Sequence, residues 1–368
     1  MKLDEKGPPI TAVDVLPLTV PTDEPEADGT LEWTETTMIV VRIHAGGQTG
    51  LGYTYSQKGA ASIIQDVLAP ALQQQDPFAI AALWSMMRRK VRNFGPGGVA
   101  TMAIAAVDVA LWDLKARLFQ APLVTLLGAA RTHVPIYGSG GFLTYTHERL
   151  HAQLGGWAAE GLRFVKMKIG ADLTRERDRI AVARQAIGPD VQLFIDANGA
   201  LTPREALFFC ETLCREHNVS WFEEPVSSEN LQGLHHIRKH APPQLDIAAG
   251  EYGFDPVYFR LMLEAESVDV LQADATRCGG YTGFLQVDAL CDAFEIPLSA
   301  HTAPALHLPV CCAAQKLRHL EYFHDHVRLE KMLFEGFPKL EHGDLVPDLT
   351  RPGHGLSLRM EVAERYRV

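Results

Sequence analysis

The chain is expected to be a closed parallel (β/α) barrel preceded by an α+β cap, on three observations. First, its 368 residues suit a barrel of about 250 residues plus a smaller unit. Second, strand-like and helix-like runs alternate from His133 onward. Third, three apolar runs each end in a carboxylate: Leu193-Phe194-Ile195 before Asp196, Trp221-Phe222 before Glu223, and Ile247-Ala248-Ala249-Gly250 before Glu251. The intervals are 27 residues from 196 to 223 and 28 from 223 to 251. One strand, one helix and two loops use up such an interval, so the three acids stand at one height on neighbouring parallel strands and face one point.

In chain order, Ile10 to Val20 and Thr37 to Ile43 are rich in β-branched residues, and Gly50-Leu51-Gly52-Tyr53 follows the Gly46-Gly47 turn. Together they read as an antiparallel meander. Pro21 to Gly29, between the first two strands, is acidic with two prolines and reads as a loop placed to act as a mobile lid. Ala60 to Leu72, Ala79 to Arg92 and Gly98 to Phe119 follow helical periodicity. This N-terminal α+β capping domain spans 1–130. The barrel, 131–340, contains eight strand-like runs: Val134 to Tyr137, Phe164 to Ile169, the three carboxylate strands, Val268 to Ala273, Ile296 to Ser299 and Leu320 to Phe323. Thr202-Pro203-Arg204-Glu205 is a capping box with proline at the first helical position, and Asp255-Pro256 repeats the cap-plus-proline signal. The segment 341–368, rich in proline and glycine, is expected to pack back on the cap.

A net charge of −11 without any basic stripe gives no footprint of nucleic acid or of an anionic membrane surface. The N-terminus, Met1 to Lys6, lacks the apolar core of a signal peptide, and no run reaches the length of a membrane span. A cytoplasmic protein is expected, and a barrel of this size is expected to form a homo-oligomer. The six cysteines show no paired C-x-x-C spacing and read as buried thiols.

Converging carboxylates repel one another unless a cation sits among them, and all-oxygen ligation suits Mg²⁺, so Asp196, Glu223 and Glu251 are candidate metal ligands. Lys166 and Lys168, two apart on one strand, point to the same side of the barrel mouth. Two ammonium groups there are expected to depress each other's pKa and make a lysine usable as a base. Asn198, two after Asp196, reads either as a substrate hydrogen-bonder or as a turn residue before Gly199. Glu224 reads as the shell behind Glu223. Asp274 and His301 end successive strands, the pairing that fixes a histidine's tautomer for proton transfer. Glu321, close to other acids, is expected to resist ionisation and to donate to an oxyanion. His324 and His326 read as surface residues. Trp33, Tyr53 and Tyr55 are candidates for an amphipathic wall over the substrate, and Arg277 for a contact with it from the barrel side. The absence of an obvious arginine in the cap loops for a second carboxylate favours a monocarboxylic acid.

Lys166-Met167-Lys168, Asp196-Ala197-Asn198, Glu223-Glu224-Pro225, Gly250-Glu251, Gln272-Ala273-Asp274 with Gly279-Gly280, His301 and Leu320-Glu321, together with the helix Ala106 to Lys115, resemble the mandelate racemase subgroup of the enolase superfamily. The resemblance covers nearly the whole chain. It implies a modified TIM barrel of (β/α)7β type and a carboxylate substrate bound to Mg²⁺. It also implies removal of the α-proton to give a metal-stabilised enediolate. Carried over by position, Asp196, Glu223 and Glu251 hold Mg²⁺, Lys168 is one base, and Lys166 touches the carboxylate. His301, oriented by Asp274, is the other base or the acid, and Glu321 donates to the enediolate. Dehydration of an acid sugar is the favoured outcome, with racemisation or epimerisation of a 2-hydroxy acid as the alternative. A related branch, the cycloisomerase and dipeptide-epimerase group, puts a lysine on the sixth strand, where this chain has Asp274. A noncatalytic binding barrel would have lost ligands or bases, and none is lost here.

Overall fold

The computed structural model describes residues 6–368; the charged start of the chain, Met1 to Glu5, lies outside the described residues. Strands β1 (Ala12–Ala27), β2 (Glu32–Ala45) and β3 (Gln48–Tyr55) form the antiparallel meander. The helix Val99–Leu118 packs on it, and its alanines have a reason. A Cβ at Gly50 or Gly52 would run into the Ala110 or Ala106 carbonyl, so strand and helix touch backbone to backbone. Small residues on both sides permit that approach.

Eight parallel strands follow: β4 (Val134–Gly140), β5 (Phe164–Lys168), β6 (Gln192–Asp196), β7 (Val219–Glu223), β8 (Asp246–Ala249), β9 (Val270–Ala273), β10 (Leu298–Ala300) and β11 (Leu317–Phe323). They pair in sequence order, and β11 pairs back with β4, which closes the barrel. The Thr202 capping box and the Asp255 cap both form as their sequences require. Inside the barrel, Tyr137, Phe194 and Trp221 stack as a plug beneath the mouth.

The expected lid is instead strand. β1 continues through Pro21 to Ala27, with a register shift between Pro21 and Glu26 where it pairs with β2. The acidic side chains have partners on the barrel rim: His324 Nε2 and Asp23 Oδ2 are 2.9 Å apart, and Arg149 faces Asp23 and Glu24. The Leu143 N–H donates to the Ala27 carbonyl, and Arg328 to the Pro21 carbonyl. Low apolar content does not leave this segment loose, because charge pairing and backbone hydrogen bonds dock it.

The C-terminal residues return to both parts. Residues Asp344–Val346 pair antiparallel with β4, Arg367 bridges to Leu18, and the His354 N–H donates to Asp113 on the Val99–Leu118 helix. All six cysteines are buried. Among the described residues, no helix is long and apolar enough to cross a membrane.

Candidate active site

Register brings the first acids together. Lys168 pairs with Asp196 across β5 and β6, and Asp196 with Glu223 across β6 and β7. Glu251 lies just past β8, after Gly250, whose φ of 131° a residue with a side chain rarely adopts. One carboxylate oxygen each from Asp196, Glu223 and Glu251 lies within 4.8 Å of the others, and all three residues are buried. Trp221 Nε1 donates to Glu223 Oε2 at 3.0 Å, which orients that acid from below. Glu251 Oε2 is buried without a hydrogen-bond partner. An all-oxygen trio with an unsatisfied ligand atom fits Mg²⁺.

Both lysines project into this trio. Lys166 Nζ lies 2.5 Å from Glu223, 2.8 Å from Glu321 and 3.3 Å from Asp196. Lys168 Nζ lies 2.6 Å from Asp196 Oδ2. The Lys166 charge does lower Lys168 as expected, but the net shift runs the other way. Burial pulls both ammonium groups down, but Glu223 and Glu321 beside Lys166, and Asp196 beside Lys168, outweigh it and hold both pKa values above the ordinary lysine range. The same pairing lowers Asp196 against its burial. Glu223, where burial and the Asp196 charge act together, is pushed up instead.

On the other side, His301 Nδ1 lies 2.9 Å from Asp274 Oδ2, while Nε2 faces Glu251 at 3.3 Å and Glu321 at 3.6 Å. Asp274 also accepts from the Thr276 N–H, and its pKa is held below the ordinary carboxylate range: burial opposes this, but the His301 hydrogen bond and charge prevail. Glu321 departs from expectation. Burial alone would keep it neutral, but Lys166 and His301 lie against it and depress its pKa, so it is a carboxylate here. Its Oε2 accepts the Thr302 N–H.

The strand ends are strained where they meet the site. Asn198, Glu224, Thr302 and Ala303 have φ of 46°, 36°, 52° and 39°. Left-handed conformations of non-glycine residues cost free energy and cluster where function fixes the backbone. Asn198 occupies the expected turn before Gly199, and its Oδ1 is buried without a protein partner.

The other candidates lie as follows. Arg277 is committed to protein acids, with Nη1 3.3 Å from Glu251 Oε1 and Nε 3.6 Å from Asp274 Oδ2. Trp33 donates to Glu26 and meets Phe142 edge-on. Tyr53 is fully buried and donates to Glu330 at 2.7 Å, so it braces the cap against the barrel and is no wall over a substrate. Tyr55 is stacked on His326, its hydroxyl unpartnered. His326 is therefore buried at this junction, not on the surface. Its aromatic partner lies 271 positions away in the chain, which no local pattern exposes.

Sequence reading passed over His307. Its Nε2 accepts the Ala275 N–H at 2.7 Å and its Nδ1–H donates to the Ala303 carbonyl at 3.1 Å, so it ties the loop after Asp274 to the loop after His301. The spacing of two histidines six apart in a helix-opening segment was the available signal.

Family comparisons agree with this geometry. The model for the mandelate racemase/muconate lactonizing enzyme N-terminal domain matches residues 13–128, and that for the enolase C-terminal domain-like unit matches 149–362. A 3,6-anhydro-alpha-L-galactonate cycloisomerase from Streptomyces coelicolor is 32% identical over 90% of this chain and 91% of its own. A crystal structure of a mandelate racemase/muconate lactonizing enzyme-like protein from Rubrobacter xylanophilus is 47% identical, with a TM-score of 0.96 over 98% of this chain and 100% of that one. The L-talarate/galactarate dehydratase of Salmonella typhimurium, solved with Mg and L-lyxarohydroxamate, is 25% identical with a TM-score of 0.92, covering 100% of this chain and 95% of that one. The chain belongs to the mandelate racemase/muconate lactonizing enzyme family of the enolase superfamily.

Proposed function

We propose that the protein removes the proton α to the carboxylate of an acid sugar, with Mg²⁺, and dehydrates it. The observation that carries this reading is the pair of proton-transfer groups flanking the acid trio, Lys168 against Asp196 at one end and His301 against Glu251 at the other. Bound by Asp196, Glu223 and Glu251, Mg²⁺ would neutralise the acids that now hold the lysines charged and polarise the substrate carboxylate. Lys166 would donate to a carboxylate oxygen. Lys168, as the amine, would take the α-proton, leaving the electron pair on the carboxylate as an enediolate. Asp274 fixes the proton on His301 Nδ1, so Nε2 is the atom that would deliver a proton to the β-hydroxyl, which leaves as water. Glu321, paired with Lys166, would hold that ammonium in place. The enol product then ketonises to a 2-keto-3-deoxy acid.

A second outcome follows from the same steps. If the β-oxygen is tied into an anhydro ring, its departure opens the ring with no loss of water, and the net reaction is an isomerisation. The cycloisomerase relative favours keeping this reading. Return of a proton to the opposite face would instead give racemisation. Residues 1–130 as cap, 131–340 as barrel and 341–368 as the returning segment, in a cytoplasmic homo-oligomer, complete the proposal.

The test is proton NMR in D₂O with Mg²⁺ across a library of acid sugars and 2-hydroxy acids. α-Proton exchange with conversion to a 2-keto-3-deoxy acid is expected, and Lys168→Ala and His301→Asn should each lose about 10²- to 10⁴-fold. Exchange with inverted configuration and no net loss would replace dehydration by racemisation; no exchange with any acid would sink the α-proton reading.

A further inference from the structure

On the side facing β4, the barrel sheet stops one residue short of Lys168. The β4–β5 register pairs Gly138 with Val165, Ser139 with Lys166 and Gly140 with Met167, and ends there. β4 turns away at Gly141, whose φ is 59°. Lys166 therefore has a paired strand on both sides, whereas Lys168 pairs in register with Asp196 of β6 alone. A reacting group has to be held to within about half an ångström, so the β4 side of Lys168 needs another support.

Arg179, on the helix Leu173–Ile187, fills that place and is only 1% exposed. Its Nη2 shares hydrogens among the carbonyls of Gly141 at 2.8 Å, Phe142 at 3.1 Å and Lys168 at 3.3 Å, and Nη1 donates to the Tyr145 carbonyl at 3.4 Å. Nε donates to Glu176 Oε2 at 3.2 Å, one turn back on the same helix. The Gly141 carbonyl also accepts the Lys168 N–H at 3.2 Å. Both peptide groups of Lys168 are thus tied to one guanidinium, the N–H through the Gly141 oxygen and the C=O directly.

The kind of side chain fits that task. A buried guanidinium is costly to desolvate, and an apolar residue would fill the same space without that cost. What the guanidinium adds is five donors in a rigid planar fork, which reach two chain segments at once; an ammonium has three donors about one point and cannot span them. The loop after β4 that it holds also receives the cap, since the Leu143 N–H donates to the Ala27 carbonyl and Thr144 Oγ1 to the Pro25 carbonyl.

We infer that Arg179 is a positioning residue for proton abstraction: it fixes the backbone of Lys168 where β4 ceases to, and so sets where Nζ meets the substrate's α-proton. The inference rests on Lys168 acting as the base in the reading above. It adds a residue whose own hydrogen bonds go to none of the candidate metal ligands.

The test is a double-mutant cycle. kcat, KM and α-proton exchange in D₂O are measured with Mg²⁺ on whichever member of the acid library the wild type exchanges fastest, with gluconate, galactonate, glucarate and galactarate included. The variants are Arg179→Lys, Arg179→Gln, Lys168→Ala and each Arg179 variant combined with Lys168→Ala. Both Arg179 variants keep donors for the loop carbonyls and lose the fork. Each is expected to lower exchange and kcat by about 10²-fold, with KM changed little and the Mg²⁺-induced rise in Tm retained. On the Lys168→Ala background the same changes are expected to cost no more than about twofold, because the base they position is gone. A merely structural role predicts equal losses on both backgrounds, and that result overturns the inference while leaving Lys168 as the base. Exchange within about twofold of wild type in both single variants overturns it as well, as does loss of the Mg²⁺ response or failure of both variants to fold. Absence of exchange with every acid in the library, or wild-type exchange in Lys168→Ala, removes the base itself and overturns the reading above together with this inference.

Discussion

His301 has one ring nitrogen free for chemistry because Asp274 takes the other, at 2.9 Å. The carboxylate fixes the Nδ1–H tautomer and stabilises the imidazolium that proton transfer needs. Asp274→Asn keeps an oxygen for the Thr276 N–H but gives up the charge, and an amide that turns its NH₂ to His301 reverses the tautomer. Exchange of the α-proton should fall by about 10²- to 10⁴-fold while the melting temperature moves little. A variant with near wild-type exchange would show the pair to be structural. At this scale residue identities were legible from strand-end spacing, but their ionisation was not. Whether Lys168 is an amine or an ammonium depends on the 2.6 Å to Asp196, and Glu321's charge on the 2.8 Å to Lys166. Neither distance is encoded in a local pattern, and each reversed the expected direction of a pKa.

Among elements, the helix His324–Leu333 links cap to barrel through Glu330, which accepts from Tyr53 of β3 and from the Ala305 N–H in the segment after His301. Burial pushes Glu330 up to about 8 from 4.5, against the lowering effect of both hydrogen bonds. Because the folded pKa lies above the unfolded one, the folded state holds the proton more tightly. That stabilisation is complete below about pH 4.5 and is lost as pH rises through about 8. Glu330→Gln imitates the protonated acid, with an amide oxygen for Ala305 and an NH₂ for the Tyr53 oxygen. Melting curves from pH 5 to 9 should show a shallower decline for the variant, the difference at high pH being of the order of a few kcal/mol. Parallel curves would mean that Glu330 does not titrate in this window. The same contacts explain what the sequence hid in this region. Strand and helix periods revealed the barrel units, whereas the docking of the 21–27 segment and of Tyr53 depends on partners some 120 to 300 residues away.

Over the whole molecule, the 27- and 28-residue intervals that made the barrel legible also bring the three buried acids to one point. Within the chain their charge is offset by the two lysines, by Arg277 and by the histidine at the far end. A divalent cation that binds the folded trio has no equivalent site in the unfolded chain, where the acids are separated by tens of residues, so binding must add to stability. At a hundredfold excess over Kd the gain is about 2.7 kcal/mol, equivalent to roughly several degrees in Tm. Mg²⁺ should therefore raise Tm and EDTA should reverse it, in the absence of any substrate. Asp196→Asn should remove the response by deleting a ligand, and Asp23→Asn should keep it, since Asp23 belongs to the rim cluster with Glu26 and His324. A Tm unmoved by millimolar Mg²⁺, or a response that survives Asp196→Asn but not Asp23→Asn, would take the cation away from the barrel axis and leave the flanking lysine and histidine without the charge partner that their chemistry requires.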